Sequence, residues 1–259
     1  MAHSLERLPV KERRGSRARC VLFTDGVRAE VAARLTSLVA PHAIVHPERH
    51  IWMPNGVADA IEGKLGEAKS FLSDGQRKEV TNWWLAVRHA AANTPNWDII
   101  SQATIGDREG LILVEAKAHD QELIKAKGGK SLDENASENS QSNHAQIGAC
   151  IQEASKALSS ATGLPWSLSQ DTHYQMSNRF AWAWKLTTME IPVMLVYLGF
   201  LNATEMGDQG IPLTSHDRWN ELVEAQSRDL FPSSVWGKTW KIKNTGLTPL
   251  IRSATRSLV

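Results

Sequence analysis

The segment Leu111-Ile112-Leu113-Val114-Glu115-Ala116-Lys117 decides the reading of this chain. Four apolar residues, two of them β-branched, run without interruption into Glu-Ala-Lys. A short apolar run bounded by turn chemistry reads as a buried strand, and successive side chains on a strand point to opposite faces. Glu115 and Lys117 therefore share one face, and Ile112, Val114 and Ala116 share the other. Upstream, Gly106-Asp107-Arg108-Glu109-Gly110 is polar turn chemistry, preceded by an extended, Ile- and Thr-rich stretch over 97–104. The two runs read as a β-hairpin.

Working outward, Val80, Trp83, Trp84, Val87 and Ala91 fall at i, i+3, i+4, i+7 and i+11 and predict a helix over 75–92, stopped by Asn93-Thr94-Pro95. A further helix is expected near 57–72. Val31, Leu35, Leu38 and Val39 predict another, ending at Pro41. Residues 20–24 read as a strand or a buried start, and 41–58 as loop with a short extended piece near 51–53. Beyond the hairpin, the Gly/Ser/Asn/Glu-rich stretch 128–143 reads as loop. Ile147, Ile151, Ala154 and Leu158 predict a helix over about 144–161. A helix over 174–189, apolar nearly all round, a buried strand over 193–200 and a last helix opened by Thr214 or Ser215 complete the order. That order predicts an α/β fold, a mixed central sheet flanked by helices.

Composition is that of a globular protein, with 259 residues, 42% hydrophobic and 22% charged. Two cysteines exclude a disulfide framework or a Cys-rich zinc site. The longest apolar run, 191–201, contains Pro192 and is too short to span a bilayer, and the N-terminus lacks a secretory h-region. A soluble, cytoplasmic protein without a membrane partner is the expectation. The net charge of +1 conceals basic ends: six Lys/Arg against Glu6 and Glu12 over 1–19, and five basic residues with no acid after Asp229. We therefore expect a flexible basic arm over 1–18, a single domain over 19–235 with its core over about 60–200, and a basic C-terminal tail over 236–259. Basic ends on an acidic body suit a polyanion or serve only solubility. In the tail, Trp236 and Trp240 flank Lys238 and Lys241, which suits stacking on nucleic-acid bases or a tail folded back on its tryptophans.

Gly128-Gly129-Lys130-Ser131 resembles the end of a phosphate-binding loop, but Ile124 stands where that motif needs glycine. The chemistry lies in the hairpin. Of three Glu-x-Lys pairs, Glu62/Lys64 and Glu67/Lys69 lie in a polar region read as helical, where i and i+2 do not face each other, and only Glu115/Lys117 ends a strand. A hairpin register with Asp98 opposite Glu115 puts two carboxylates and an ammonium together. Oxygen ligands of this kind suit magnesium, or manganese, held by Asp98 and Glu115, with Lys117 stabilising charge on a phosphate. The competing reading is a structural Glu115–Lys117 salt bridge beside an unrelated aspartate.

This arrangement resembles the PD-(D/E)xK nuclease superfamily, with its restriction-endonuclease-like fold, over roughly residues 60–200. The first acid of that motif matches Asp98, displaced from its proline in Pro95-Asn96-Trp97-Asp98, and the Glu-x-Lys matches Glu115 and Lys117. The resemblance implies a metal-dependent nuclease acting on DNA phosphodiesters, with Asp98, Glu115 and Lys117 catalytic. It also implies a further acid from the preceding helix, Glu67 or Glu79, with Glu67 preferred, and Gln146 as a possible contact from the crossing helix. Alternatives are a non-catalytic nucleic-acid-binding or assembly protein that retains the fold, and a different metal-dependent hydrolase or structural domain.

Overall fold

The computed structural model describes residues 5–67, 71–89 and 92–258. The chain opens with two helices, α1 (Gly15–Phe23) and α2 (Arg28–Val39), then two short strands, β1 (Ala43–Ile44) and β2 (Trp52–Met53). The strand β3 (Gly63–Lys64) pairs with β4 (Asn96–Trp97), and α3 (Asp74–Trp84) lies between them in sequence. The predicted hairpin is β5 (Ile99–Ile105) and β6 (Arg108–Lys117). It closes on Gly106, whose positive φ of 62° suits a two-residue turn. Three helices follow, α4 (Asp120–Ile124), α5 (Glu138–Thr162) and α6 (Tyr174–Thr188), before the buried strand β7 (Val193–Leu201). The chain ends through α7 (His216–Ser227), β8 (Trp240–Ile242) and β9 (Thr245–Thr255).

One mixed sheet organises these elements in the order β1-β5-β6-β7-β9-β8, with β2 also paired to β5. The β5–β6 and β9–β8 pairs are antiparallel, while β7 runs parallel to both β6 and β9. The alternation read along β6 is realised. Leu111 and Leu113 join a core built with α3, α5, α6 and α7. Ile112, Val114 and Ala116 join a second core with α1 and α2 on the other face. The fold is thus mixed α/β with helices on both sides of the sheet.

Local signals hold where side chains close their own hydrogen bonds. Ser73 and Gln76 form a reciprocal capping box at α3, and Ser137 and Ser215 cap α5 and α7. Gly163 ends α5 at φ 69°. Gly199 on β7 leaves the notch into which Trp219 of α7 packs. A Cβ there would lie 2.6 Å from the indole Cγ, and the indole N–H donates to the Tyr197 carbonyl at 3.1 Å.

Several expectations are corrected. Of the two readings of residues 20–24 the strand is corrected: residues 20–23 are the buried end of α1, which presents Ala18, Val21 and Leu22 to the core. The supposed arm is docked from residue 5 onward. Leu8 and Ala18 are buried, Arg19 is buried against Glu205, and Arg14 pairs with Asp208 at 3.0 Å. Residues 1–4 lie outside the described residues. Over 57–67 and 71–72 the expected helix gives way to β3 and turns, because Gly63 lies flat against Ile100, where a Cβ would meet Cδ1 at 2.4 Å; residues 68–70 lie outside the described residues. The helix expected to reach 92 stops at Trp84, since Asn143 takes both backbone groups of Val87 at 2.8 and 2.9 Å. Ala91 lies outside the described residues. The last part of the stretch assigned to loop over 128–143, residues 138–143, belongs to α5, which starts at Glu138 behind its serine cap.

The C-terminal tail is the largest correction. β9 lies inside the sheet between β7 and β8, with Leu247, Leu250 and Ile251 buried. Trp236 packs edge-on against Phe180, Tyr197 and Phe231. Trp240 donates to the Val235 carbonyl, so the tail folds back on its tryptophans. Several charges at the two ends are also spent inside the fold: Arg252 donates to the Leu38 carbonyl at 3.1 Å and Lys243 to that of Thr188 at 3.0 Å. Among the described residues no helix is long and apolar enough to cross a membrane.

Candidate functional site

The hairpin register settles which side chains meet. Ile99 pairs with Val114, so one step further Asp98 stands opposite Glu115. At Asp98 the chain bends out of β5, and the carboxylate replaces a ladder partner: Oδ2 accepts the Ala116 N–H at 2.7 Å. Glu115 and Lys117, on one face at the end of β6, are both buried. Lys117 Nζ donates to Glu115 Oε1 at 2.5 Å. The other oxygen, Oε2, accepts from Arg179 Nε at 2.6 Å. Arg179 projects from α6, donates through Nη1 to Asn178 at 3.0 Å, and lies over the Trp97 ring at 4.6 Å from its centre.

Two acids and two bases thus meet at this end of the sheet, Glu115, Lys117 and Arg179 buried and Asp98 half-buried, and they differ electrostatically. Burial raises the Asp98 carboxyl and the Glu115 charge raises it further. Lys117 and the Ala116 N–H only partly offset this, leaving it near pKa 7. Burial acts in the same direction on Glu115, but Arg179 and Lys117 outweigh it and hold that carboxyl at about 2. Both cations stay charged because the carboxylates overcome their own desolvation. Asp98 is therefore the carboxylate with unmet demand for positive charge, and Glu115 the one already supplied.

Other residues reach this end of the sheet. Glu62 acts on Asp98 through its charge, and its own carboxylate takes an N–H from the Asn96 side chain at 3.0 Å. Glu122 accepts the Ala118 N–H at 2.5 Å and the Ser16 hydroxyl at 3.0 Å, and its charge acts on Lys117. Tyr197, beside Glu115 in the parallel register, is fully buried, and its hydroxyl has no hydrogen-bond partner among the described residues. An open cleft of about 350 Å³ runs up to Arg179, lined also by Asn178, Gln175, Tyr174, Asn96 and Pro95.

The structure brings Asp98, Glu115 and Lys117 together, as the alternation requires. It does not bring in the further acids expected from the preceding helix. Glu67 is exposed and pairs with its neighbour Lys64 at 3.5 Å. Glu79 pairs with Lys185 at 2.8 Å. With β3 in place of the expected helix, Glu62 rather than Glu67 lies toward Asp98. Gln146 is a packing residue that donates to the Trp83 carbonyl at 2.7 Å. Among the described residues no three His, Cys, Asp or Glu side chains form a ready-made metal cluster. Arg179 is the member of this buried network that the sequence reading missed. Its signal was a charge between Ser177 and Phe180 in a helix read as buried, and a buried charge requires a partner.

No protein-family model matches this chain, nor does any curated protein or solved structure.

Proposed function

We propose that this protein is a metal-dependent nuclease that hydrolyses DNA phosphodiester bonds, using Mg²⁺ or Mn²⁺ held by Asp98 and Glu115. The observation that carries the reading is the meeting of Asp98, Glu115 and Lys117 at one end of the hairpin, with Asp98 left short of positive charge. The donor set fits a hard divalent cation. Both candidate ligands are carboxylates, and a carboxyl raised by burial and by a second carboxylate is relieved when a cation joins the pair. Such a cation supplies Lewis-acid polarisation of a phosphate oxygen.

The chain's own groups supply the remainder. Lys117 is not a metal ligand, because an ammonium has no lone pair. From its place beside Glu115 it stabilises negative charge that builds on a phosphate oxygen. Arg179 presents a second cation at the cleft, with the Asn178 amide beside it, and both suit an entering phosphate. The choice of DNA as the polymer rests on the resemblance to the PD-(D/E)xK nucleases.

The test is cleavage of duplex, flapped and single-stranded DNA in Mg²⁺, Mn²⁺ and EDTA, together with calorimetric titration of Mn²⁺. Metal-dependent cleavage that is lost in Lys117→Met, with Mn²⁺ binding retained, supports the reading. A second reading, a non-catalytic nucleic-acid-binding or assembly protein, is favoured by one observation: Lys117 and Arg179 already neutralise both Glu115 oxygens. Wild-type protein that neither binds Mn²⁺ nor cuts any of these substrates selects that reading.

A further inference from the structure

The two cations on Glu115 are not equivalent. Lys117 sits two residues along the same strand, so its ammonium stays beside the carboxylate through any movement of the site. Arg179 comes from a different element, α6, and meets Glu115 across 64 residues of sequence. It is also the member of the network that lines the open cleft. A cation ligated by Glu115 needs an oxygen lone pair facing it, and Oε2 is turned to Arg179 at 2.6 Å. A guanidinium forms equally good planar pairs with carboxylate and phosphate, so one residue can serve both partners in turn.

We propose that Arg179 is a displaceable counter-ion. It neutralises Glu115 while the site lacks a divalent cation, and it moves from Glu115 onto a substrate phosphate in the cleft when the cation arrives. This rests on the nuclease reading and specifies how the site loads. No bond is made or broken in the exchange. A consequence follows from linkage. Phosphate drawing Arg179 away frees Glu115 for metal, and metal on Glu115 frees Arg179 for phosphate, so each ligand tightens the other by the same factor.

The experiment is calorimetric titration of the full chain with Mn²⁺, with and without saturating thymidine 5′-monophosphate, a phosphate monoester with no diester to cut. It is run on wild type, Arg179→Met and Arg179→Lys. Wild type is expected to bind Mn²⁺ about tenfold more tightly with the nucleotide present, within the usual range of such couplings. Arg179→Met, with Glu115 released, is expected to bind Mn²⁺ about tenfold more tightly than wild type without nucleotide and to gain nothing from adding it. Arg179→Lys keeps a cation on Glu115 and is expected to retain the wild-type affinity for Mn²⁺ alone.

A purely structural Arg179 gives the opposite pattern: Arg179→Met binds Mn²⁺ no better than wild type, and the nucleotide leaves the wild-type affinity unchanged. Either result overturns the proposal. If Arg179→Met fails to fold by circular dichroism, the nucleotide effect on wild type and the Arg179→Lys titration decide it. Normal Mn²⁺ binding and DNA cleavage without coupling to the nucleotide would sink this role for Arg179 and leave the nuclease reading standing. Absence of Mn²⁺ binding under every condition removes both.

Discussion

Replacing Asp98 by Asn should stabilise the metal-free protein, and the gain should grow with pH. The substitution keeps an oxygen that can accept the Ala116 N–H and removes a charge that burial and Glu115 both oppose. The Asp98 carboxyl is raised from 3.8 to about 7. A group bound to its proton more tightly in the folded state contributes stability that is complete below its unfolded pKa. That stability is lost as pH rises through its folded pKa. The wild type therefore loses stability between about pH 4 and pH 7 that Asp98→Asn keeps. At about 1.4 kcal/mol per tenfold change in proton affinity, the difference approaches a ceiling of about 4 kcal/mol above pH 7. Urea unfolding of both proteins in EDTA at pH 4.5, 6 and 8 measures it. The variant should match wild type at the lowest pH and exceed it by 1–4 kcal/mol, as an order of magnitude, at the highest. Adding Mn²⁺ should raise wild-type stability by mass action and leave the variant nearly unchanged. An Asp98→Asn protein less stable than wild type at pH 8 in EDTA would refute the charge assignment.

Glu115→Gln should behave oppositely: it leaves Lys117 and Arg179 buried without their shared carboxylate, at a cost of about 3–5 kcal/mol in urea unfolding near pH 7. Lys117→Met should abolish cleavage while a Mn²⁺ titration still shows binding, because the ammonium is a charge stabiliser and not a ligand. Gly199→Ala should lower thermal stability by about 1–3 kcal/mol or more, since the added methyl meets the Trp219 ring at 2.6 Å. Truncation after Lys243, harmless for a solvated tail, should instead abolish the cooperative thermal transition, because it removes β9 from between β7 and β8.

Features that depend on near neighbours were legible in the sequence. The hairpin over 97–114 follows from its apolar runs and turn residues, and the sharing of one face by Glu115 and Lys117 follows from a period of two. The opening of α7 at Thr214 or Ser215, of which Ser215 is the cap, and the stripes of α2 and α5 were legible for the same reason: their signals lie within one or two helical turns. Asp98 was placed because the hairpin register carries it to Glu115.

Tertiary structure decided everything that rests on a partner distant in the chain. The segment Thr245–Thr255 contains Pro249 and lacks a clean alternation, so nothing local marks it as a strand; pairing with β7 makes it one. Arg14, in the segment read as a flexible arm, and Arg19, just beyond it, are received by Asp208 and Glu205, some 190 residues away. Glu62 displaced Glu67 because Gly63 packs on Ile100 and turns a polar helical reading into a strand. The charge state of the site was likewise beyond local reading. Whether Glu115 is a free ligand or a neutralised one depends on Arg179, which only the packing of α6 against the end of the sheet brings within 2.6 Å. Periodicity reports which face a side chain occupies, but burial and opposing charge are set by what the rest of the chain places against that face.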